Sequence, residues 1–242
     1  NFDTDTVTAE ITLYAKWTLS EQQFSVTAVA NPTAGGTVTP TAATQMGQTS
    51  GGSITATANT GYTFNNWTIQ SGSGSFTDAT AASTTFKPTT VSTVQANFTA
   101  NTYTITLDKQ EGTDGTDEVT VQYNNNNYSI NPVEIPTRSG YDFGGYYVAQ
   151  NGGGFLVINE SGHWVENAYG YTDASGNWTR ANNVTLYAKW TEIKYTVNIS
   201  TDGNGLVDPS GDQQIGIVGL EVTATPKDPS RFRFTKWEVS GG

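Results

Sequence analysis

Few residues of this sequence could carry catalysis or hold a metal ion, and their spacing matches no catalytic motif. His163 is the only histidine, and the chain has no cysteine. Thiolate nucleophiles, disulfides and zinc sites built from cysteine or clustered histidine are therefore excluded. No nucleophile elbow or comparable hydrolase motif accompanies His163. We expect no catalytic residue, no metal ion and no cofactor.

Carboxylates are concentrated in residues 108–118, a stretch that superficially resembles a calcium loop. It lacks the alternate spacing of oxygen ligands and the distal glutamate of a known calcium loop, so we interpret it as a solvated hairpin tip. Paired carboxylates for glycoside hydrolysis remain open, although Asp and Glu lie mostly in predicted turns. Isopeptide crosslinks between Lys and Asn or Asp also remain open, and an intact mass equal to the unmodified sequence would dismiss them.

A second candidate for function is an aromatic-rich stretch set among Gly and Asn, residues 163–178. Exposed aromatic side chains offer a large, rigid contact area at low entropic cost. We hypothesise that four of them include an exposed recognition patch for a glycan or a protein partner: Trp164, Tyr169, Tyr171 and Trp178. The alternative is an extra hairpin whose aromatic side chains pack on their own module.

The charge balance bears on the class of partner. The chain has 11 basic and 22 acidic residues, giving a net charge of −11. A phosphate-binding surface needs clustered Lys and Arg, so we expect neither nucleic acid nor an anionic membrane as partner. No apolar run reaches the roughly 18 residues that span a bilayer. The Cys-free composition, rich in Thr and Asn, favours an extracellular, secreted protein, and we expect this sequence to be a monomeric piece of a longer chain.

Three sequence markers recur in the same order along the chain. They identify the structural elements that hold the candidate functional side chains. They are a closing hexapeptide Thr-Leu-Tyr-Ala-Lys-Trp, an alternating opening segment, and an aromatic pair followed three residues later by another aromatic. The closing copies lie at 12–17, 94–98 (degenerate) and 185–190, the opening segments at 24–29, 103–107 and 195–199, and the aromatic markers at 62–67, 141–146 and 232–237. This threefold order predicts tandem repeat modules.

Strand periodicity runs throughout the chain. In the second closing hexapeptide, a pleated strand puts Leu186, Ala188 and Trp190 on one face, which predicts a core strand. Six aromatic residues are the predicted structural anchors of the repeats: Trp17, Trp67, Phe98, Tyr146, Trp190 and Trp237. Helix is predicted only as a short turn before Ile135, and residues 124–127 are predicted to form a hairpin tip.

The predicted boundaries follow from the markers. Residues 1–20 would be the tail of a preceding repeat, 21–100 a complete first module, 101–192 a complete second module with an insertion at about 148–183, and 193–242 the first part of a third module. The linkers between them are too short for flexible tethers, so we expect a semi-rigid rod.

The second module resembles the Listeria-Bacteroides repeat, also called the internalin-type B repeat. The resemblance rests on residues 135–147 and on the closing strand at 184–190. The flanking modules, with Gly-Gly-x-Val-x-Pro at 35–40 and Gly-Tyr-x-Phe-x-x-Trp at 61–67, are similar to its divergent form. The resemblance implies small β-grasp-like modules strung along bacterial surface proteins as spacers or adhesion modules, with no catalytic residues. The insertion and Tyr146, where Trp is usual, depart from the pattern.

Three classes of function follow. The first is a non-catalytic spacer with weak adhesive function, and the second is a dedicated module that binds a glycan or protein through the aromatic insertion. The third, an enzyme, has the least support. The first two differ in whether the insertion exposes an apolar patch.

Overall fold

A computed structural model describes residues 8–12, 14–18, 20–125 and 132–239. Within these ranges the regular structure is almost entirely β-strand, which confirms the predicted mainly β class. Helix there is confined to two short 3-10 turns, Thr33–Gly35 and Gln150–Gly152. The helical turn predicted before Ile135 is absent from residues 132–135, and the rest of that prediction lies outside the described residues, as do residues 126 and 127 of the predicted tip. The chain divides into two compact units, Asn1–Thr99 and Ala100–Gly242.

The first module forms two four-stranded sheets. Its strands are β1 (Gln23–Asn31), β2 (Gly36–Thr39), β3 (Thr44–Gly47), β4 (Gly52–Ala58), β5 (Tyr62–Ser71), β6 (Gly74–Phe76), β7 (Ser83–Pro88) and β8 (Ser92–Ala100). One sheet has the order β3-β1-β8-β5 and the other β2-β4-β7-β6. The opening strand β1 and the closing strand β8 are parallel, in register from Val26↔Ser92 to Asn31↔Asn97.

The core of the first module draws side chains from both sheets. Alternation along β8 buries Val94, Ala96 and Phe98, while the intervening residues are only half-buried. Trp67 of β5 and Phe86 of β7 are among its largest fully buried side chains. Burying one such side chain contributes roughly 1.5–3 kcal/mol, so the period-2 pattern accounts for the two-layer architecture.

The second module forms one five-stranded sheet. Its strands are β9 (Thr102–Asp108), β10 (Glu118–Gln122), β11 (Tyr141–Ala149), β12 (Gly153–Ile158) and β13 (Val184–Glu192). The order is β10-β9-β13-β11-β12, with the closing strand β13 parallel to the opening strand β9 and antiparallel to β11. Its first four strands repeat the arrangement of β3-β1-β8-β5, a mixed sheet with a central parallel pair. This is the strand order of a β-grasp sheet.

The β11–β13 pairing contains a bulge between Phe143 and Tyr146. Gly145 within it has a φ of +96°, a conformation that side-chain-bearing residues rarely adopt. The bulge allows Phe143 to pair with Trp190 and Tyr146 with Ala188 across the same strand. The one extra residue of the bulge therefore lets both aromatic side chains face the core.

Residues 193–239 form two two-stranded sheets, and the strands of the two sheets alternate along the chain. Their strands are β14 (Tyr195–Ile199), β15 (Gly205–Asp208), β16 (Gly211–Ile215) and β17 (Thr223–Pro226). β14 pairs with β16 and β15 with β17, both antiparallel, as β1 pairs with β3 and β2 with β4 in the first module. Residues 232–239 carry the aromatic marker of β5 but form no strand. In the first module β5 is held by β8, and residues 193–239 contain no strand beside β14 in that position.

Two predicted anchors do not lie in a core in this structure. Trp17 is 88% exposed, because the described residues between 8 and 18 form no strand and pair with no sheet. Trp237 is 47% exposed, because no closing strand packs against it within residues 193–239. The aromatic residue at each marker is therefore buried only where opening, closing and marker strands occur together.

Candidate functional site

Residues 163–178, the aromatic part of the insertion, follow β12 and are held to the second module without regular strands. The bridge Ile158↔Trp164 extends the edge of β12, and a second bridge, Thr172↔Trp178, closes a small loop. The backbone N–H of Val165 donates to the carbonyl of Val157 at 2.9 Å. The insertion is thus fixed against the sheet at its start and pinned on itself at its end.

Two of the four predicted contact residues lie inside the module. Trp164 is 7% exposed and Trp178 2%, and their rings meet edge to face at 5.9 Å. Both belong to the core that contains Tyr146 and Leu186. Because they are buried, Trp164 and Trp178 cannot belong to an exposed patch. The physical reason is that the second module has a single sheet, so the insertion supplies the second layer that a second sheet supplies in the first module.

Tyr169 is the one predicted contact residue that is largely exposed. Its side chain is 74% exposed and stacks on Phe155, 49% exposed, with ring centroids 5.0 Å apart and planes 29° apart. Phe155 lies on the edge strand β12 and was missed by the sequence reasoning. An apolar run such as Phe155–Ile158 predicts a strand, but it does not tell which side chain of an edge strand faces solvent. We name these two residues the Phe155–Tyr169 pair.

Tyr171 is half-buried and caps the inner aromatic cluster. Its ring meets that of Trp178 edge to face at 5.9 Å, and the Arg180 guanidinium lies over it, 4.4 Å from the ring centroid. A cation over an aromatic face stabilises such a contact by about 0.5–1 kcal/mol at exposed sites. Tyr171 and Arg180 therefore cover the outer side of the core.

The turn at Asp173 is a structural device and not a cation site. Its Oδ1 accepts the backbone N–H groups of Ser175 and Asn177, each at 2.9 Å, and its Oδ2 accepts the Asn177 side-chain amide at 2.8 Å. These hydrogen bonds, led by that of the Asn177 side chain, lower the pKa of Asp173. The carboxylate oxygens are occupied by protein donors, which fixes the loop between the bridged residues Thr172 and Trp178.

An aromatic cluster recurs at the same place in both modules. In the first module the ring of Phe64 lies 5.8 Å from those of Trp67 and Phe98. In the second, the ring of Phe143 lies 5.1 Å from that of Tyr146 and 5.5 Å from that of Trp190.

The polar ends of the second cluster differ in their environment. The Trp190 indole N–H donates to the Lys109 carbonyl at 2.8 Å. Burial raises the pKa of Tyr146, with the charges of Asp117 and Asp108 adding to the shift. Tyr146 of the second module therefore packs as Trp67 does in the first, and Trp190 packs as Phe98 does.

The remaining chemical candidates do not converge on a centre. The acidic stretch connects β9 to β10, where Lys109 forms an ion pair with Asp117 at 2.6 Å. His163 is exposed, and its backbone N–H donates to the Asn159 side chain at 2.9 Å. Among the described residues, no three His, Asp or Glu side chains are grouped closely enough to bind a metal ion. The helices of that part of the chain are also too short and too polar to cross a membrane.

Two family models match consecutive parts of the chain. Residues 24–102 match the model of the divergent InlB B-repeat domain, and residues 103–159 match that of the Listeria-Bacteroides repeat domain. No curated protein and no solved structure matches the chain. The first range spans both sheets of the first module, and the second spans the opening strand, the bulged strand and β12 of the second. The chain therefore contains a divergent InlB B-repeat at 24–102 and a Listeria-Bacteroides repeat at 103–159, in tandem.

Proposed function

We propose that this chain is a non-catalytic spacer with weak adhesive function in a bacterial cell-surface protein. The observation that carries the proposal is the burial of Trp164 and Trp178. The most aromatic segment of the chain completes a hydrophobic core. Its aromatic composition is therefore explained by folding, without a binding function. Listeria-Bacteroides repeats occur in bacterial surface proteins, which supports an extracellular location.

A length-exchange experiment tests the spacer function. A binding domain of known ligand is displayed on cells at the outer end of residues 1–242, and capture of ligand-coated beads is measured. Removing residues 21–192 should reduce capture, and an unrelated β-repeat array of equal length should restore it. Failure of the replacement array to restore capture would show that the sequence, and not its length, is needed.

The second candidate function is binding of a cell-surface glycan or protein at the Phe155–Tyr169 pair. The specific observation in its favour is that both rings are exposed and stacked on a single edge of the module. Exposed aromatic side chains are the type of residue that recurs as an interface anchor.

Ligand screening separates the two candidates. The chain of residues 1–242 is applied to a glycan array and to cells beside a Phe155→Ser/Tyr169→Ser variant. A Val91→Ser variant, which also removes an exposed apolar side chain, serves as the matched control. Binding by the wild type and the control but not by the double variant would assign recognition to the pair and overturn a purely structural role. Equal signals from all three proteins would dismiss the pair.

A further inference from the structure

The segment that follows the second module begins after a linker of two residues. β13 ends at Glu192 and β14 begins at Tyr195. The backbone N–H of Ile193 donates to the carbonyl of Gly140 at 2.9 Å, which extends the β11–β13 pair by one hydrogen bond. A linker this short limits the distance between the two parts of the chain. Rotation about its backbone bonds would still leave their relative orientation open.

The loop that follows β16 returns to the second module. Oε1 of Glu192 accepts the backbone N–H of Ile217 at 3.1 Å, a contact between residues 25 positions apart. The same carboxylate forms an ion pair with Lys194 at 3.6 Å. A hydrogen bond to an ionised acceptor is stronger than one between neutral groups. Glu192 therefore connects the end of β13 to the end of β16.

Two glycines allow this loop to approach closely. A Cβ at position 216 would overlap the Glu192 carboxylate, and a Cβ at position 140 would overlap the Ile217 side chain. Gly140 also has a φ of +78°, which favours glycine. The Ile217 side chain thus lies directly over the backbone of the turn that precedes β11. We name Gly140, Glu192, Gly216 and Ile217 the junction contact.

The β14–β16 pair is held to the second module through both of its strands. Tyr195 of β14 pairs with Ile215 of β16, so the linker and the loop lie at the same end of the pair. The linker holds β14 covalently, and the junction contact holds the chain two residues beyond Ile215. A strand pair that is attached through both strands cannot rotate about either one alone.

We propose that the junction contact fixes the angle between the second module and the β14–β16 sheet. Relative motion is the default for neighbouring domains whose interface is small. The junction contact opposes that motion with a charge-assisted hydrogen bond and with packing of Ile217 on Gly140. The inference goes beyond the spacer function, because the fixed angle is a property of the fold whatever the chain carries or binds.

A distance measurement by electron paramagnetic resonance tests the proposal on the chain of residues 1–242. The chain has no cysteine, so two introduced cysteines are its only labelling sites. Thr120→Cys on β10 and Ser210→Cys, the residue before β16, place spin labels at exposed positions on the two sides of the junction. The labelled chain should show one narrow distribution of distances.

Glu192→Ala should raise the share of other distances about tenfold, because the Ile217 N–H loses its charged acceptor. Glu192→Gln keeps a side-chain oxygen that can accept this N–H, so it should retain the narrow distribution. Lys194→Ala removes only the ion pair and should also retain it. Neither side chain belongs to the core clusters, so loss of folding does not confuse the comparison.

Two substitutions in the loop separate packing from hydrogen bonding. Ile217→Ser should broaden the distribution, because it removes the side chain that lies on Gly140. Val218→Ser is the matched control, since the neighbouring side chain is 80% exposed. The backbone amide of Ile217 should exchange slowly with solvent hydrogen in the wild type and in Glu192→Gln, and faster in Glu192→Ala.

Three results would overturn the proposal. One is a broad distribution in the labelled chain without further substitution. Another is a narrow distribution that survives both Glu192→Ala and Ile217→Ser, which would mean that the linker alone sets the angle. The third is equal broadening by Lys194→Ala or Val218→Ser, which would assign the effect to contacts other than the junction contact.

Discussion

The residue types of the aromatic insertion predicted that its aromatic side chains either bind a partner or pack on the module. They did not predict which side chain has which role. Trp164 and Trp178 are buried and Tyr169 is exposed, although all three lie among similar Gly, Asn and Asp residues. The difference depends on which side of the insertion faces the open face of the five-stranded sheet. That information is absent from local sequence, because the bridging segments follow neither a helical nor a strand period.

Substitution of the two classes of aromatic residue should separate their roles. Trp178→Ala should lower the free energy of unfolding of the second module by about 3–5 kcal/mol, because it leaves a cavity in the core. Tyr169→Ala should lower it by less than about 1 kcal/mol, the loss of one exposed ring contact. Urea denaturation followed by circular dichroism measures both. Similar losses for the two variants would contradict the burial described above.

At the scale of elements, the opening strand, closing strand and aromatic marker could be predicted from the sequence in kind and order. The alternation that puts Leu186 and Ala188 on one face is confirmed by their burial. The second sheet of the first module could not be predicted, because its strands are short and rich in Thr and Ser, with few apolar residues to reveal a period. Pairing of β2, β4, β7 and β6 is decided by the need to cover the apolar face of the first sheet.

One side chain connects the start of the opening strand to a distant turn. The Glu21 carboxylate precedes β1, and its Oε1 accepts the backbone N–H of Thr49 at 2.6 Å and that of Ser50. Its Oε2 accepts the Ser50 hydroxyl at 2.7 Å. These hydrogen bonds, led by that of the Ser50 backbone, hold the pKa of Glu21 below its ordinary value of 4.5.

The sign of the resulting pH dependence follows from that direction. A carboxyl whose pKa is lower in the folded state stabilises the fold above its unfolded pKa, and this stabilisation is lost as pH falls through the folded pKa. Glu21→Gln should therefore destabilise the first module at pH 7, and the difference from wild type should shrink as the pH falls below 4.5. Urea denaturation at several pH values measures this. The exposed Glu10→Gln serves as control, and a Glu21→Gln difference that is constant with pH would refute the role of the charge.

At the scale of the whole molecule, each complete module has its own hydrophobic core. The two core clusters share no residue, and the chain divides at the Thr99–Ala100 step. We therefore expect the two modules to unfold independently. In a repeat array, the stability of each unit is set by its own core and by its contacts with neighbouring units.

A buried charge in one core tests that independence. Val94→Asp should unfold the first module, because it buries an unpaired charge in an apolar core. The free-energy cost of that burial is comparable to the whole stability of a small domain, about 5–15 kcal/mol. Residues 101–192 should keep their amide protection in hydrogen exchange. Val91→Asp, at an exposed position just before β8, is the control. Loss of protection in both modules would show that they form one cooperative unit.

The central parallel pair has a mechanical consequence for a chain that is pulled from both ends. β1 enters the first module and β8 leaves it, and the two lie side by side in register from Val26↔Ser92 to Asn31↔Asn97. Tension applied to the chain therefore slides these strands along each other, so the hydrogen bonds between them share the load and must break together instead of one after another. β9 and β13 repeat this geometry in the second module. Under flow or traction, each complete module would resist extension until all the hydrogen bonds between its two parallel strands break.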